Sequence, residues 1–282
     1  MATKKKLLFG MLFVLGVWTA NGDLHRVQHI LREASSNLVS IYSLNMTDNS
    51  VDDDYQGCER QMLQKVQQTY LNAEREKCKD FDQAWDKAAT YYKNKSSGPL
   101  DKMEAMAIHV YVNPYVKIFK PFNRATLIGK AEYTSGYQYH SLHFLLTRAL
   151  QKLNKKNIKK WLKIKQKTFR GTNVVFNGKK GTMMRFGQFT SSSKNKMSAL
   201  RFGNVTCFDI QTLHGAALEK YSTLPHEEEV LIPPFEVFKI TKVMETKEGS
   251  SLQCQVVYTL KSCGKKSNLR CKVAKLIERI QN

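Results

Sequence analysis

The hydrophobic periodicity of the chain changes once, near residue 166, from helical to strand-like spacing. Before that point apolar residues recur at intervals of three and four, as at Phe81, Trp85, Ala88 and Tyr92. After it the apolar segments are short, β-branched or aromatic, and separated by Gly, Asn and Lys turns. Helices followed by strands, with no long linker between them, are typical of an α+β domain.

The same periodicity predicts the individual elements. Helices are expected over 58–76, 80–92, 103–111, 115–127 and 139–153. Strands are expected over 167–171, 174–176, 183–189, 205–213, 229–240 and 252–260. The acidic segment 48–55 is interpreted as an exposed approach to the first helix.

Residues 1–22 have the three regions of a secretory signal peptide. Basic Lys4–Lys6 precedes the apolar run Leu7–Trp18, which is shorter than the ~20 residues that a membrane-spanning helix needs. We expect cleavage after Ala20 or Gly22, and a signal anchor is the alternative. The charged segment 272–282 lacks the hydrophobic tail of a lipid-anchor signal. We therefore expect a secreted, extracellular protein with no transmembrane span.

Six cysteines on a secretory route indicate disulfides, and their spacing does not match a metal site: Cys58, Cys78, Cys207, Cys254, Cys263 and Cys271. No metal is expected. Sequons begin at Asn45, Asn94 and Asn204, which favours glycosylation.

The formal net charge of +21 indicates attraction to polyanions. The densest basic block, residues 152–167, interleaves eight lysines with apolar residues. It either binds heparin-like chains or membrane surfaces, or is a solvated helix end and loop.

An acidic cluster stands out against this background. Glu227, Glu228 and Glu229 run into the apolar residues 230–232, which end at Pro233. Alternate side chains of a strand share a face, so Glu227 and Glu229 are predicted on one face, ~7 Å apart. Two such carboxylates suit the stabilisation of a cationic centre or acid–base chemistry on a sugar. The alternative is a solvated acidic turn.

Two motifs precede this cluster. Arg170 and Gly171 end a predicted strand, where arginine offers a bidentate fork for phosphate and glycine lets a ligand approach the backbone. The run 191–193 presents hydroxyls that suit a ribose or a carboxylate. Each motif has a simpler interpretation, a surface arginine beside a turn glycine and a serine-rich turn or helix cap.

In this order the three motifs resemble the vertebrate arginine-specific ecto-ADP-ribosyltransferases. The resemblance covers most of the chain after the signal segment and rests on the runs 52–58, 141–150, 169–171, 185–193 and 227–236. It implies a helical N-terminal part packed on a two-sheet β core, with NAD in the cleft between the sheets. One catalytic domain is expected over 48–282, helical in 58–153 and β-rich in 166–275, after an N-terminal extension over 23–47.

The resemblance also implies a role for each motif residue. Arg170 matches the residue that holds the NAD phosphates, and Gly171 is expected to present backbone groups to the nicotinamide amide. Ser191 matches the serine beside the nicotinamide ribose. Glu229 matches the catalytic glutamate, and Glu227 the one that makes arginine the preferred acceptor. NAD is the implied substrate, with NADP as an alternative.

The implied activity is transfer of ADP-ribose from NAD to arginine side chains of extracellular proteins, with release of nicotinamide. One alternative is an enzyme that mainly hydrolyses NAD at the same site. Another is a catalytically weak secreted protein that binds polyanions on the same scaffold, through the basic exterior.

The resemblance pairs Cys58 with Cys271. The family's cysteine just before the run 169–171 is missing, so Cys207 must find another partner or remain free. The pairing of Cys78, Cys254 and Cys263 stays open.

Overall fold

The computed structural model describes residues 41–116, 118–157, 165–245 and 253–281. The predicted signal peptide, residues 23–40 of the predicted extension and the centre of the basic block lie outside the described residues.

Helices dominate the first half of the described chain. A π-helical turn, Val66–Tyr70, joins the first two, and a capping box at Asp101 begins the fourth, because the Glu104 carboxylate accepts from the Asp101 N–H at 3.0 Å. The bounds are α1 (Glu59–Lys65), α2 (Leu71–Lys77), α3 (Lys79–Tyr91), α4 (Lys102–Val112), α5 (Phe119–Ile128), α6 (His140–Asn157), α7 (Lys196–Leu200) and α8 (Lys272–Gln281). The prediction missed α7 and α8.

Strands dominate the second half. They are β1 (Ile41–Ser43), β2 (Gln166–Thr172), β3 (Val175–Asn177), β4 (Met183–Met184), β5 (Thr190–Ser193), β6 (Thr206–Thr212), β7 (Ala216–Ala217), β8 (Glu229–Ile232), β9 (Glu236–Glu245) and β10 (Val256–Lys265). β1 pairs in parallel with β3, and the other eight form one mixed sheet in the order β4-β9-β10-β6-β2-β5-β8-β7. The predicted α+β class is confirmed.

The eight-stranded sheet is nearly divided in the middle. β2 pairs with β6 along its whole length, but it meets β5 at the single pair Phe169–Ser193. A five-stranded part and a three-stranded part therefore touch at one residue pair, which fits the expectation of a two-sheet core.

Two predicted strands are shorter than expected. The one over 183–189 stops after Met184, because the Arg185 N–H bonds instead to the Asn45 carbonyl at 3.0 Å. The one over 229–240 breaks after Ile232, since Pro233 and Pro234 have no N–H for a sheet ladder.

Residues 50–55 of the acidic segment are buried, so its interpretation as an exposed approach was wrong beyond Asp48 and Asn49. The Asp52 carboxylate meets Arg185 Nη1 at 2.6 Å, and both side chains are fully buried. Asp52 also accepts the N–H of Leu269 at 3.1 Å, and Asp53 accepts the N–H of Cys271 at 3.0 Å. A buried arginine and the backbone of the C-terminal segment satisfy these carboxylates, which is why the charges tolerate burial.

Two disulfides are formed. Cys58 is bonded to Cys271, beside the buried aspartates, and Cys207 to Cys254, which answers the open question about Cys207. Cys78 and Cys263 are free thiols.

The folded unit begins before the domain start expected at residue 48. β1 pairs with β3, and Leu44 packs in a core cluster with Met184 and Phe208. No helix in the described ranges is long and apolar enough to span a membrane.

Candidate active site

The predicted site residues converge where the two parts of the sheet touch. Arg170 lies on β2, Ser191 on β5 and Glu229 at the first position of β8. Arg170 Nη1 donates a 2.7 Å hydrogen bond to the Ser191 carbonyl. This bond crosses the junction between β2 and β5, where the strands share one backbone pair. Burial lowers the pKa of the Arg170 guanidinium, which nevertheless remains charged at neutral pH.

The three serines of β5 have different hydrogen-bond partners. Ser192 donates to the Val230 carbonyl at 2.8 Å, and Ser193 donates to the Glu227 carbonyl at 2.6 Å. Both hydroxyls hold β8 and its approach against β5. The Ser191 hydroxyl instead hydrogen-bonds the Glu229 carboxylate. Of the three serines, Ser191 therefore has its side chain in the site.

Glu229 is a buried carboxylate in a mixed electrostatic environment. The residue is only 8% exposed, and its pKa is raised to about 7. Desolvation is the largest cause of this rise and the charge of Glu227 adds to it, while the Ser191 hydrogen bond and Arg170 partly offset it. A carboxyl group with this pKa ionises near neutral pH, so its negative charge is available to stabilise a positive charge that develops on a substrate.

Glu227 and Glu229 are close, but not for the predicted reason. Glu227 ends a 3-10 turn, Pro225–Glu227, and the strand begins only at Glu229. Between them Glu228 has a left-handed backbone, with φ 47° and ψ 45°. The prediction that strand alternation sets their common face was therefore wrong. A strained turn brings the half-buried Glu227 near Glu229, and backbone strain of this kind often accompanies function.

Gly171 is required by packing. A Cβ added there would lie 2.2 Å from the Gly203 carbonyl oxygen and 2.7 Å from that of Ala199. The turn after α7 therefore packs directly on the β2 backbone. This close contact is a second reason for glycine at this position, beside the room for a ligand that was predicted from the sequence.

Tyr111 is a site residue that sequence reasoning missed. It lies near the end of α4, donates to the Phe189 carbonyl at 3.0 Å and accepts from Asn123 at 3.0 Å. Burial raises its pKa to about 12, and its hydroxyl interacts with Ser191, Glu229 and Arg170. The sequence feature that could have identified Tyr111 is its place on an otherwise apolar helix face, because the hydroxyl of a buried tyrosine needs a polar partner.

The groups present fit a dinucleotide better than a metal. A charged guanidinium, hydroxyls and a carboxylate line one junction. Among the residues that the structure describes, no cluster of three or more His, Cys, Asp or Glu could hold a metal ion.

Comparison with known proteins places the chain among enzymes of one family. The model of a family described as NAD:arginine ADP-ribosyltransferase matches residues 44–267. An erythroblast NAD(P)(+)--arginine ADP-ribosyltransferase of Gallus gallus is 35% identical over 241 residues, which are 82% of this chain and 76% of that protein. Ecto-ADP-ribosyltransferase 4 of Homo sapiens is 33% identical over 234 residues, 80% of this chain and 71% of the relative.

Solved structures agree. The crystal structure of the eukaryotic mono-ADP-ribosyltransferase ART2.2 is similar with a TM-score of 0.67 and 29% identity, over 82% of this chain and 98% of that chain. A mutant of the same enzyme in complex with NADH also has a TM-score of 0.67, at 30% identity. The chain belongs to the NAD:arginine ADP-ribosyltransferase family.

Proposed function

We propose that this protein transfers ADP-ribose from NAD to arginine side chains of extracellular proteins and releases nicotinamide. The observation that carries the proposal is the buried Glu229 carboxylate, with the Ser191 hydroxyl, the Arg170 guanidinium and a second carboxylate, Glu227, around it. Family membership supports NAD as the donor and arginine as the acceptor.

Arg170 is proposed to hold the NAD phosphates. Its guanidinium already donates to the Ser191 carbonyl at the junction of the sheet parts, so its position is fixed before NAD arrives. A pre-positioned charged donor loses little entropy on binding. The backbone of Gly171, the next residue on β2, is proposed to contact the nicotinamide amide.

Glu229 is proposed to stabilise the reacting ribose. When the bond between ribose C1′ and the nicotinamide nitrogen breaks, its electron pair leaves with neutral nicotinamide and positive charge develops on the sugar. A buried, ionised carboxylate stabilises this state more than the ground state, because its environment has already excluded water. Ser191 orients that carboxylate through its hydrogen bond.

Glu227 is proposed to bind the acceptor. A guanidinium is cationic and a weak nucleophile, so a carboxylate must dock it and accept its proton as a nitrogen bonds to C1′. Glu227 is half-buried at the end of a turn, where an acceptor side chain can reach it. If water replaces the acceptor, the same site hydrolyses NAD.

The protein is proposed to act outside the cell. Two disulfides fit an oxidising compartment, and the sequon residues Asn45, Asn94 and Asn204 are exposed and so accessible to glycosylation. Release into the medium, and polyanion contact through the basic exterior, are parts of the same proposal. Detection of the protein in the medium of expressing cells, with a mass shift on enzymatic deglycosylation, tests release and glycosylation.

The test of the activity uses labelled NAD and agmatine, a small guanidine acceptor. Wild-type protein is expected to label agmatine and release nicotinamide. Glu229→Gln is expected to lose both, because the variant keeps the shape of the side chain and removes only its charge. Glu228→Gln is the control, since it removes a neighbouring carboxylate. Free ADP-ribose without labelled agmatine would support a hydrolase instead.

A further inference from the structure

A row of lysines crosses the five-stranded part of the sheet. Lys239 on β9 lies directly opposite Lys261 on β10. Lys261 is in register with Gln211 on β6, and Gln211 with Lys167 on β2. The row therefore crosses four neighbouring strands, and strands are about 4.8 Å apart.

The row lies on the outer face of the sheet. Lys239 and Lys261 are exposed, whereas Phe238, Ile240 and Leu260, which alternate with them, are buried in a core cluster. Because alternate residues of a strand face opposite sides, the ammonium groups project away from that core.

Further lysines extend this row. Lys242 lies two register positions along β9, past a β-bulge, opposite Thr259. On the other side Lys196 of α7 lies over the Phe169 ring, with its Nζ 5.3 Å from the centroid, and Lys167 lies over the same ring at 5.6 Å. We call Lys167, Lys196, Lys239, Lys242 and Lys261 the lysine face.

The lysine face is poorly neutralised. Lys167 pairs with Asp209 at 3.4 Å, while no ion pair with a described residue is found for Lys196, Lys239, Lys242 or Lys261. Like charges directly opposite each other on paired strands destabilise a sheet. By contrast, Lys152 of the basic block contacts both Asp101, at 2.7 Å, and Glu104, at 2.8 Å. Four of the five ammonium groups of the lysine face therefore have no neutralising carboxylate among the described residues.

We propose that the lysine face binds a sulfated polysaccharide chain. Flexible ammonium groups at regular strand spacing match a linear polyanion with repeated charges. The inference rests on the extracellular location under the proposed function. The negative surface potential of cell membranes belongs mainly to the cytoplasmic leaflet, so polysaccharide is the more abundant anionic partner outside. None of the five lysines is a proposed site residue, and binding there retains the enzyme near cell-surface acceptors.

The test compares two double variants of the whole secreted protein. Lys239→Gln with Lys261→Gln removes the opposed pair from the lysine face. Lys87→Gln with Lys93→Gln removes the same charge from exposed positions in the helical half. Binding to immobilised heparin is measured against salt concentration, with uncharged dextran and vesicles of phosphatidylcholine, with and without phosphatidylserine, as further probes.

The lysine-face variant is expected to bind heparin about tenfold more weakly, which is 1.4 kcal/mol. Its salt dependence should also be shallower. The helical control should change by less than about twofold, and both variants should label agmatine like wild type. Equal weakening in both variants would overturn the proposal in favour of general charge attraction, as would binding to phosphatidylserine vesicles without binding to heparin. Lost agmatine labelling in wild type would count against the proposed function and leave the heparin result intact.

Discussion

Replacing Glu229 with glutamine is expected to stabilise the fold at neutral pH while it removes activity. Desolvation raises the pKa of this buried carboxyl from 4.5 to about 7 in the folded protein. In the unfolded chain the group ionises near its ordinary value. Between these two pKa values the unfolded state has lost its proton and the folded state has kept it. The free energy of unfolding therefore falls as pH rises from about 4 to 7, and stays low above.

The magnitude follows from the two pKa values. Each pKa unit corresponds to 1.36 kcal/mol, so the ionised carboxylate costs the fold about 3 kcal/mol at pH 8 and almost nothing at pH 4. Glutamine has no such ionisation. The stability difference between Glu229→Gln and wild type should thus grow by about 3 kcal/mol from pH 4 to pH 8.

Urea unfolding at both pH values, with the disulfides intact, measures this difference. Glu245→Gln on β9 is a control, because it removes an exposed carboxylate. A stability difference for Glu229→Gln that stays constant between pH 4 and pH 8 would refute the reasoning, since it would mean that the folded carboxyl ionises at its ordinary pKa.

Three further outcomes are expected. The kcat/KM for NAD should rise with pH through about 7, as Glu229 ionises. In Glu227→Gln this rise should occur at lower pH, because the Glu227 charge raises the pKa of Glu229. A pH profile that is the same in the variant and in wild type would argue against coupling between the two carboxylates. Tyr111→Phe should slow NAD turnover about fivefold, since it removes one hydroxyl contact worth ~1 kcal/mol, and should lower the unfolding temperature, because the Phe189 carbonyl and the Asn123 amide lose their partner; unchanged turnover would remove Tyr111 from the site. Replacing Cys58 and Cys271 with serine should cost about 5 kcal/mol by loop entropy, because the bond spans 213 residues; calorimetry measures the cost, and a cost below ~1 kcal/mol would contradict it.

The order of elements and the charged site residues were readable from the sequence. Helical and strand periodicities differ enough to locate most elements, and Arg170 and Glu229 lie on strands that the pattern predicts, whereas Ser191 lies on β5, just after the predicted strand 183–189. The order of the motifs also indicates the family, because the same residue types occur in the same order in its members.

Features that depend on tertiary packing or on a single dihedral angle were not readable. Strand alternation cannot reveal that Glu228 adopts a left-handed conformation, so the route by which Glu227 reaches the site was missed. Nor does a run of aspartates indicate burial, because the partner of Asp52 is Arg185, 133 residues away. Tyr111 reaches the site only because α4 packs near β5.

The central claim is that Glu229 serves the ribose and Glu227 the acceptor arginine. The most direct measurement is the ratio of labelled agmatine to free ADP-ribose formed from NAD by Glu227→Gln. The ratio is expected to fall at least about tenfold in the variant, which corresponds to the loss of one charge-assisted contact of about 1.4 kcal/mol, while total nicotinamide release stays within about threefold of wild type. An unchanged ratio, with both products lowered together, would contradict the division of roles between the two carboxylates.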